Sequence, residues 1–318
     1  MRRLDLALAP LALAASLALA SCSTAPKPPE GIFDQRNKAA ELAKLGDGFM
    51  AKAQYSKALE YYEDALKADS ALDDLEGVAA SHASMGKAYL AAGQATDAAR
   101  EYAASLDYAR FAASGAAQAT ALSGLGEIAY ASGSKDEALD RFAEAVKLAR
   151  AAGIGAEQAL AVALHDQGVA ELALGKRELG MADLQAAEAM NLKARRWIEL
   201  GANRYTLASA LSSAGRPSEA LAAALGALDA DKRAENARSV PADLAAAASI
   251  SEKLGKASDA WDYWRRSFDA ALSADDPAAT RKALSALVRL ALGLGKDEDG
   301  KRYASLLTQL DQAESAAK

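Results

Sequence analysis

Residues 85–105 run MGKAYLAAGQATDAAREYAAS, and the reading of this stretch decides the fold. Apolar residues recur three and four apart on either side of Gly93, which is helix spacing rather than strand alternation. Glycine just past a helix end takes the left-handed conformation that closes it. Gly93 therefore ends one helix, and a second opens near Ala98. Thr96 is the expected N-cap, its oxygen accepting an orphan N–H, and Asp97 favours the positive end of the helix dipole. Ala98, Tyr102 and Ser105 then share one face of the second helix.

The pattern repeats along the chain. Small residues hold the Ala98 position at Ala58, Ala98, Ala138, Gly180, Ala220, Ala260 and Gly300, at successive distances of 40, 40, 42, 40, 40 and 40. Five before these anchors stand Ala53, Gly93, Gly133, Gly175, Gly215, Gly255 and Gly295. Ser56, Ser218 and Ser258 repeat the N-cap expectation of Thr96, and Glu219 and Asp259 repeat the acidic first turn. Four after the anchors come Tyr62, Tyr102, Phe142, Leu184, Ala224, Trp264 and Ala304. Twelve before them come Gly46, Gly86, Gly126, Gly168, Ala208, Ala248 and Val288, where a small residue lets two helices approach closely. A fixed period of this length marks a repeat array, in which each helix pair buries its apolar face only by stacking on its neighbours.

The motif resembles the tetratricopeptide repeat. Leu45-Gly46, Met85-Gly86 and Leu125-Gly126 match that family's first-helix pair, and Phe49 and Tyr89 its first aromatic. Ala58, Tyr62 and Ala65, and Ala138, Phe142 and Ala145, match its second helix. The match weakens where Ala224 and Ala304 replace aromatics. The usual period is about 34 residues, so each helix is expected to gain up to a turn. Pro241 and Pro277 are placed to open the first helices of the last two pairs. The resemblance implies an all-α, right-handed α-solenoid of about seven helix pairs over residues 36–312. The repeats are expected at about 39–72, 79–112, 119–152, 161–194, 201–234, 241–274 and 281–312, with a tail at 313–318.

Composition bounds the partners. Lys and Arg number 37 against 43 Asp and Glu, a formal net charge of −6. A mildly acidic chain repels phosphate backbones, so nucleic acid is not an expected partner. Only one cysteine is present, which leaves neither a disulfide nor a thiolate cluster for a metal.

That cysteine ends an address signal. Met1-Arg2-Arg3 is a short positive region, although Asp5 is unusual in it, and Leu6 to Leu19 is apolar but short for a bilayer span. Leu19-Ala20-Ser21-Cys22 resembles the lipobox of bacterial lipoproteins. The resemblance implies a signal peptide at 1–21, lipidation of Cys22 and attachment by more than one acyl chain. Ser23 after the cysteine, by the sorting rule of such lipoproteins, implies the outer membrane, facing the periplasm. The alternative is an ordinary secretory leader cleaved after Ala20. Pro26, Pro28 and Pro29 make residues 22–35 an extended tether.

In the tetratricopeptide family the first helices form the inner face. The family's carboxylate clamp needs lysine and asparagine where this chain has Ala43 and Asp47, then Ala83 and Lys87, so that role is excluded. The middle repeats offer Leu90, Tyr130, His165, Val169, Leu172 and Tyr205, an apolar groove with polar handles for a helix or extended peptide. The competing reading packs these side chains between neighbouring helices. His82 and His165 lack a second ligand at metal spacing, and no nucleophile–base–orienter set is legible. No cofactor, metal or catalytic residue is therefore expected. Asp73-Asp74 and Asp275-Asp276 read as capping loop pairs. Lys193, Arg195, Arg196 and Trp197 read as a solvated helix face, and Trp264 as core beside Trp261. Together these features imply a lipid-anchored interaction scaffold that binds other envelope proteins and catalyses nothing. The alternative is a lipoprotein that binds a small hydrophobic ligand or serves as a transporter accessory.

Overall fold

The computed structural model describes residues 31–316, and these form fourteen α-helices in chain order. They are α1 (Ile32–Met50), α2 (Tyr55–Ala71), α3 (Leu75–Ala91), α4 (Ala95–Phe111), α5 (Gly115–Ala131), α6 (Lys135–Ala152) and α7 (Glu157–Ala173). The chain continues with α8 (Arg177–Ala194), α9 (Trp197–Ser213), α10 (Pro217–Arg233), α11 (Val240–Lys253), α12 (Ala257–Ser273), α13 (Pro277–Gly293) and α14 (Asp297–Ala316). Consecutive helices pack as antiparallel pairs, and each pair stacks on the next to make an α-solenoid. Cys22 and residues 1–30 lie outside the described residues.

The forty-residue period is two 17-residue helices and two short turns, as in α3 and α4. Five of the seven first helices open about one turn before the expected repeat starts, so the extra length falls on first and second helices alike, as expected. The single 42-residue step comes from an 18-residue α6 and a longer turn through Gly153 and Gly155.

Each turn within a pair is closed in the way the glycines predict. Gly93 has φ +78°, its N–H reaches Leu90 O at 3.0 Å, and Gln94 N–H reaches Tyr89 O at 2.9 Å. This is the double-bonded glycine cap of a helix C-terminus. It also corrects the N-cap expectation. The residue that completes the cap, Gln94, is already the N-cap of α4. Thr96, and likewise Ser56, Ser218 and Ser258, therefore sit inside the first helical turn. Three-residue turns leave no room for a separate cap. Side-chain caps appear at the turns between pairs, where Asp74 accepts from Gly77 N–H at 3.2 Å and Asp276 from Ala279 N–H at 2.9 Å. The aspartate pairs are thus capping loops, with Asp73 and Asp275 in the left-handed region.

The core of each pair matches volume across two positions. A Cβ on Gly126 would stand 2.4 Å from the Phe142 ring, and one on Gly46 2.5 Å from Tyr62. Glycine is therefore what admits the aromatic. Where the second position shrinks to Ala224, the first grows to Ala208, and both are fully buried. Trp261 and Trp264 are buried too, and Trp264 Nε1 donates to Glu252 at 2.7 Å.

Candidate interaction face and buried polar junctions

Helix contacts identify the inner side of the stack. First helices of adjacent pairs touch one another, α3 with α5 and α5 with α7, whereas second helices of adjacent pairs do not. The row of first helices is therefore drawn together into the inner face, most tightly between α5 and α7.

On that face the expected groove residues divide. Leu90 packs with Ala98 and Tyr102, Tyr130 with Ala138 and Phe142, and Leu172 with Met181 and Ala208. All three are half-buried, as is Val169. Tyr205 is the open member at 40% exposure. Lys87, Glu127, Ser209 and Arg289, each eleven before its anchor, are open to solvent and make the face more polar than an apolar groove, although Leu292 at the register of Leu90 is 83% exposed.

Its centre is acidic. Burial, and then the charge of Glu127, push the Asp166 carboxyl of α7 well above the usual carboxylate range. Although Glu127 itself is open to solvent, the crowding of helices around it displaces bulk water and raises its carboxyl too, against the pull of Lys87. The Ser123 hydroxyl beside Asp166 offsets part of the rise at Asp166. Ser123 and Glu127 of α5 thus meet Asp166 of the neighbouring first helix, a link that helix spacing alone does not give.

His165 belongs to a different arrangement. Its Nδ1 pairs with Asn203 Nδ2 at 2.8 Å, and Asn191 Nδ2 donates to Asn203 Oδ1 at 2.6 Å. Burial lowers the His165 imidazole to about 4, so it stays neutral at ordinary pH. His82 meets Glu101 at 2.8 Å and stacks on Tyr108. Among the described residues no group of three His, Cys, Asp or Glu side chains could hold a metal. The basic cluster needs correction: it spans the α8–α9 turn instead of a helix face. Arg195 has φ +56°, Arg196 is the N-cap of α9, and Trp197 lies beneath the Arg233 guanidinium at 5.0 Å.

Asn191 and Asn203 disclose a register that the sequence reading missed. Near the end of each second helix, the residue eleven after the anchor faces the next first helix, twelve positions on, or fourteen where the 42-residue step intervenes. The pairs are Asp69 with Ser81, Asn191 with Asn203, and Asp231 with Asp243. Ser81 Oγ donates to Asp69 Oδ2 at 3.0 Å, matching the direct bond of the asparagines. Alanines hold the equivalent positions at 109 and 121, 149 and 163, and 271 and 283, all buried. The signal was present as polar residues twelve apart on otherwise apolar faces. Asp231 and Asp243 stand at the wall of a cavity of about 310 Å³ between α9 and α11, with Ile198 and Tyr205.

Neither a protein-family model nor a curated protein matches the sequence. Solved structures do match in fold. A signal transduction ATPase with a tetratricopeptide repeat sensor from Pyrococcus horikoshii aligns over 87% of this chain at 14% identity, with a TM-score of 0.65. This chain covers 42% of that protein's length. The apo quorum sensor NprR from B. thuringiensis aligns over 88% of this chain and 77% of its own, at 16% identity and a TM-score of 0.62. The fold is that of tetratricopeptide-like repeat proteins. A Rap protein complexed with competence and sporulation factor shares it, over 88% of this chain and 77% of its own, at 13% identity and a TM-score of 0.61. The seven tetratricopeptide-like pairs account for the whole described chain.

Proposed function

We propose that this protein is a lipid-anchored interaction scaffold of the bacterial cell envelope, which holds a peptide or helix of a partner protein along its inner face. The observation that carries this reading is the row of first helices, gathered into one face that leaves Lys87, Glu127, Tyr205, Ser209 and Arg289 open to a partner. The solenoid buries its own apolar surface by stacking, so this face is free for recognition. A Rap protein of similar fold, solved with competence and sporulation factor, supports the idea that such a scaffold accommodates a second molecule. Anchoring rests on Leu19-Ala20-Ser21-Cys22, and Ser23 favours the outer membrane facing the periplasm. No helix among the described residues is long and apolar enough to cross a membrane, so attachment in this reading falls to Cys22.

Two measurements test the proposal. Cys22→Ala should move the protein from the membrane to the soluble fraction, and unchanged partitioning would sink the anchor. A photo-crosslinking amino acid at Tyr205, on the inner face, should capture envelope partners that the same probe at exposed Glu144 on α6 does not. Equal capture from both positions would remove the inner face as the docking surface.

A further inference from the structure

Three junctions between pairs bury a polar couple, and in two of them a direct hydrogen bond joins its members, although Asn191 Oδ1 is left without a partner. Asp69 accepts from Ser81, and Asn191 donates to Asn203. The third sets two carboxyl groups against each other, acceptor to acceptor unless Asp243 carries a proton. Asp231 is 3% exposed and Asp243 1%, and the two carboxyl groups contact each other. Asn236 Nδ2 donates to Asp231 Oδ1 at 2.8 Å, but no donor reaches Asp243 Oδ2. Among the described residues neither carboxylate forms an ion pair. Two buried carboxylates in contact repel strongly unless a proton or a cation lies with them.

The surroundings favour an organic cation over a metal ion. The couple borders a cavity of about 310 Å³, walled by Tyr205 and Ile198 of α9 and Ala242 of α11. Two carboxyl groups provide too few oxygens for a calcium or magnesium site. An aromatic face beside apolar side chains suits an alkyl stem and its ammonium head. This junction also has the long six-residue turn 234–239, which holds Asn236 over the carboxylates.

We propose that the cavity between α9 and α11 binds an alkylammonium ion, whose charge is held by the Asp231–Asp243 couple. The ammonium donates to the unpartnered Asp243 oxygen, and its stem lies against Tyr205 and Ile198. Such a group arrives either as a lysine side chain of a docked peptide or as a free small amine. The inference stands on the cavity and its carboxyl pair, and it does not require the scaffold reading.

The test titrates the purified full-length chain with n-butylammonium and with Nα-acetyl-lysine amide, following heat of binding and melting temperature. Saturable binding that raises the melting temperature is expected for at least one amine. Binding of the lysine amide alone assigns the site to a peptide, binding of n-butylammonium alone assigns it to a free amine, and binding of both supports the ammonium class. Asp231→Asn combined with Asp243→Asn recreates the Asn191–Asn203 couple and should weaken binding at least tenfold while helicity is retained. Should that variant not fold, Ala202→Trp fills the cavity mouth and leaves both carboxyl groups in place, with the same loss expected. The proposal is overturned if neither amine binds, if the variants bind as the parent does, or if n-butanol or calcium ion binds as well as the amines.

Discussion

The third pair, α5 and α6, and the fifth, α9 and α10, solve the same packing problem with opposite distributions of volume. In the third, Phe142 fills the seam and Gly126 makes room for it. Ala149 and Ala163 then seal its junction with the following pair. In the fifth, Ala208 and Ala224 share the seam equally, and polarity moves to the junction, where Asp231 meets Asp243 beside a cavity. Both pairs open with a 17-residue first helix and keep the same glycine-closed turn. The contrast teaches that the repeat frame is set by turn positions and summed volume, while side-chain identity is free to vary and to place chemistry at one junction.

The contrast is sharpened most by Phe142→Ala, which should destabilise the chain by about 3–5 kcal/mol in urea unfolding. Adding Gly126→Ala to it converts the third seam into the fifth and should recover about 1 kcal/mol or more. A double variant that is merely the sum of its parts would show that the two positions do not share volume. Gly126→Ala alone should cost about 1–3 kcal/mol through overpacking. The opposite sign is expected at Gly48 of α1, where an added Cβ meets nothing within 4 Å. Gly48→Ala should stabilise by roughly 1 kcal/mol, the ordinary helix-propensity gain. Stabilisation at both glycines would break the argument that Phe142 is wedged over Gly126.

The junctions differ in their response to pH. Burial, and then the neighbouring Asp231 charge, push the Asp243 carboxyl from 3.8 up to about 8. The folded state therefore binds this proton more tightly than the unfolded state does. Its contribution is fully present below about pH 4, declines as pH rises from there to about 8, and is gone above that. The steepest slope for one proton is about 1.4 kcal/mol per pH unit. Asp231→Asn with Asp243→Asn should flatten the stability curve over that window, leaving the residual slope of the other carboxyls raised by burial, Asp166, Glu127, Asp69, Glu171 and Asp183. Parallel curves for parent and variant, measured by urea unfolding at several pH values, would show that the couple does not hold the proton.

Much of the fold was legible. The anchors at forty-residue spacing, the glycines five before them and the aromatics four after correspond to the observed helices, caps and seams. The N-caps were not, because a three-residue turn makes Gln94 serve two helices at once, a constraint of turn geometry that residue preference does not carry. The candidate site was legible only in outline. Leu90, Tyr130 and Leu172 occupy inner-face positions, yet each leans into its own seam, and the open positions went to Lys87, Glu127, Ser209 and Arg289. Asp166 gave no signal, since a carboxylate on a helix normally faces water, and Asp243 gave one only through its spacing of twelve from Asp231.

The sequence alone determined where helices end and which faces are apolar, because glycine closure and helical spacing act within a few residues of the chain. Only the tertiary structure decided which polar residues meet. Asp231 reaches Asp243, and Glu127 acts on Asp166, because stacking brings successive pairs together and removes water from between them, and the energy of a charge depends on that neighbourhood.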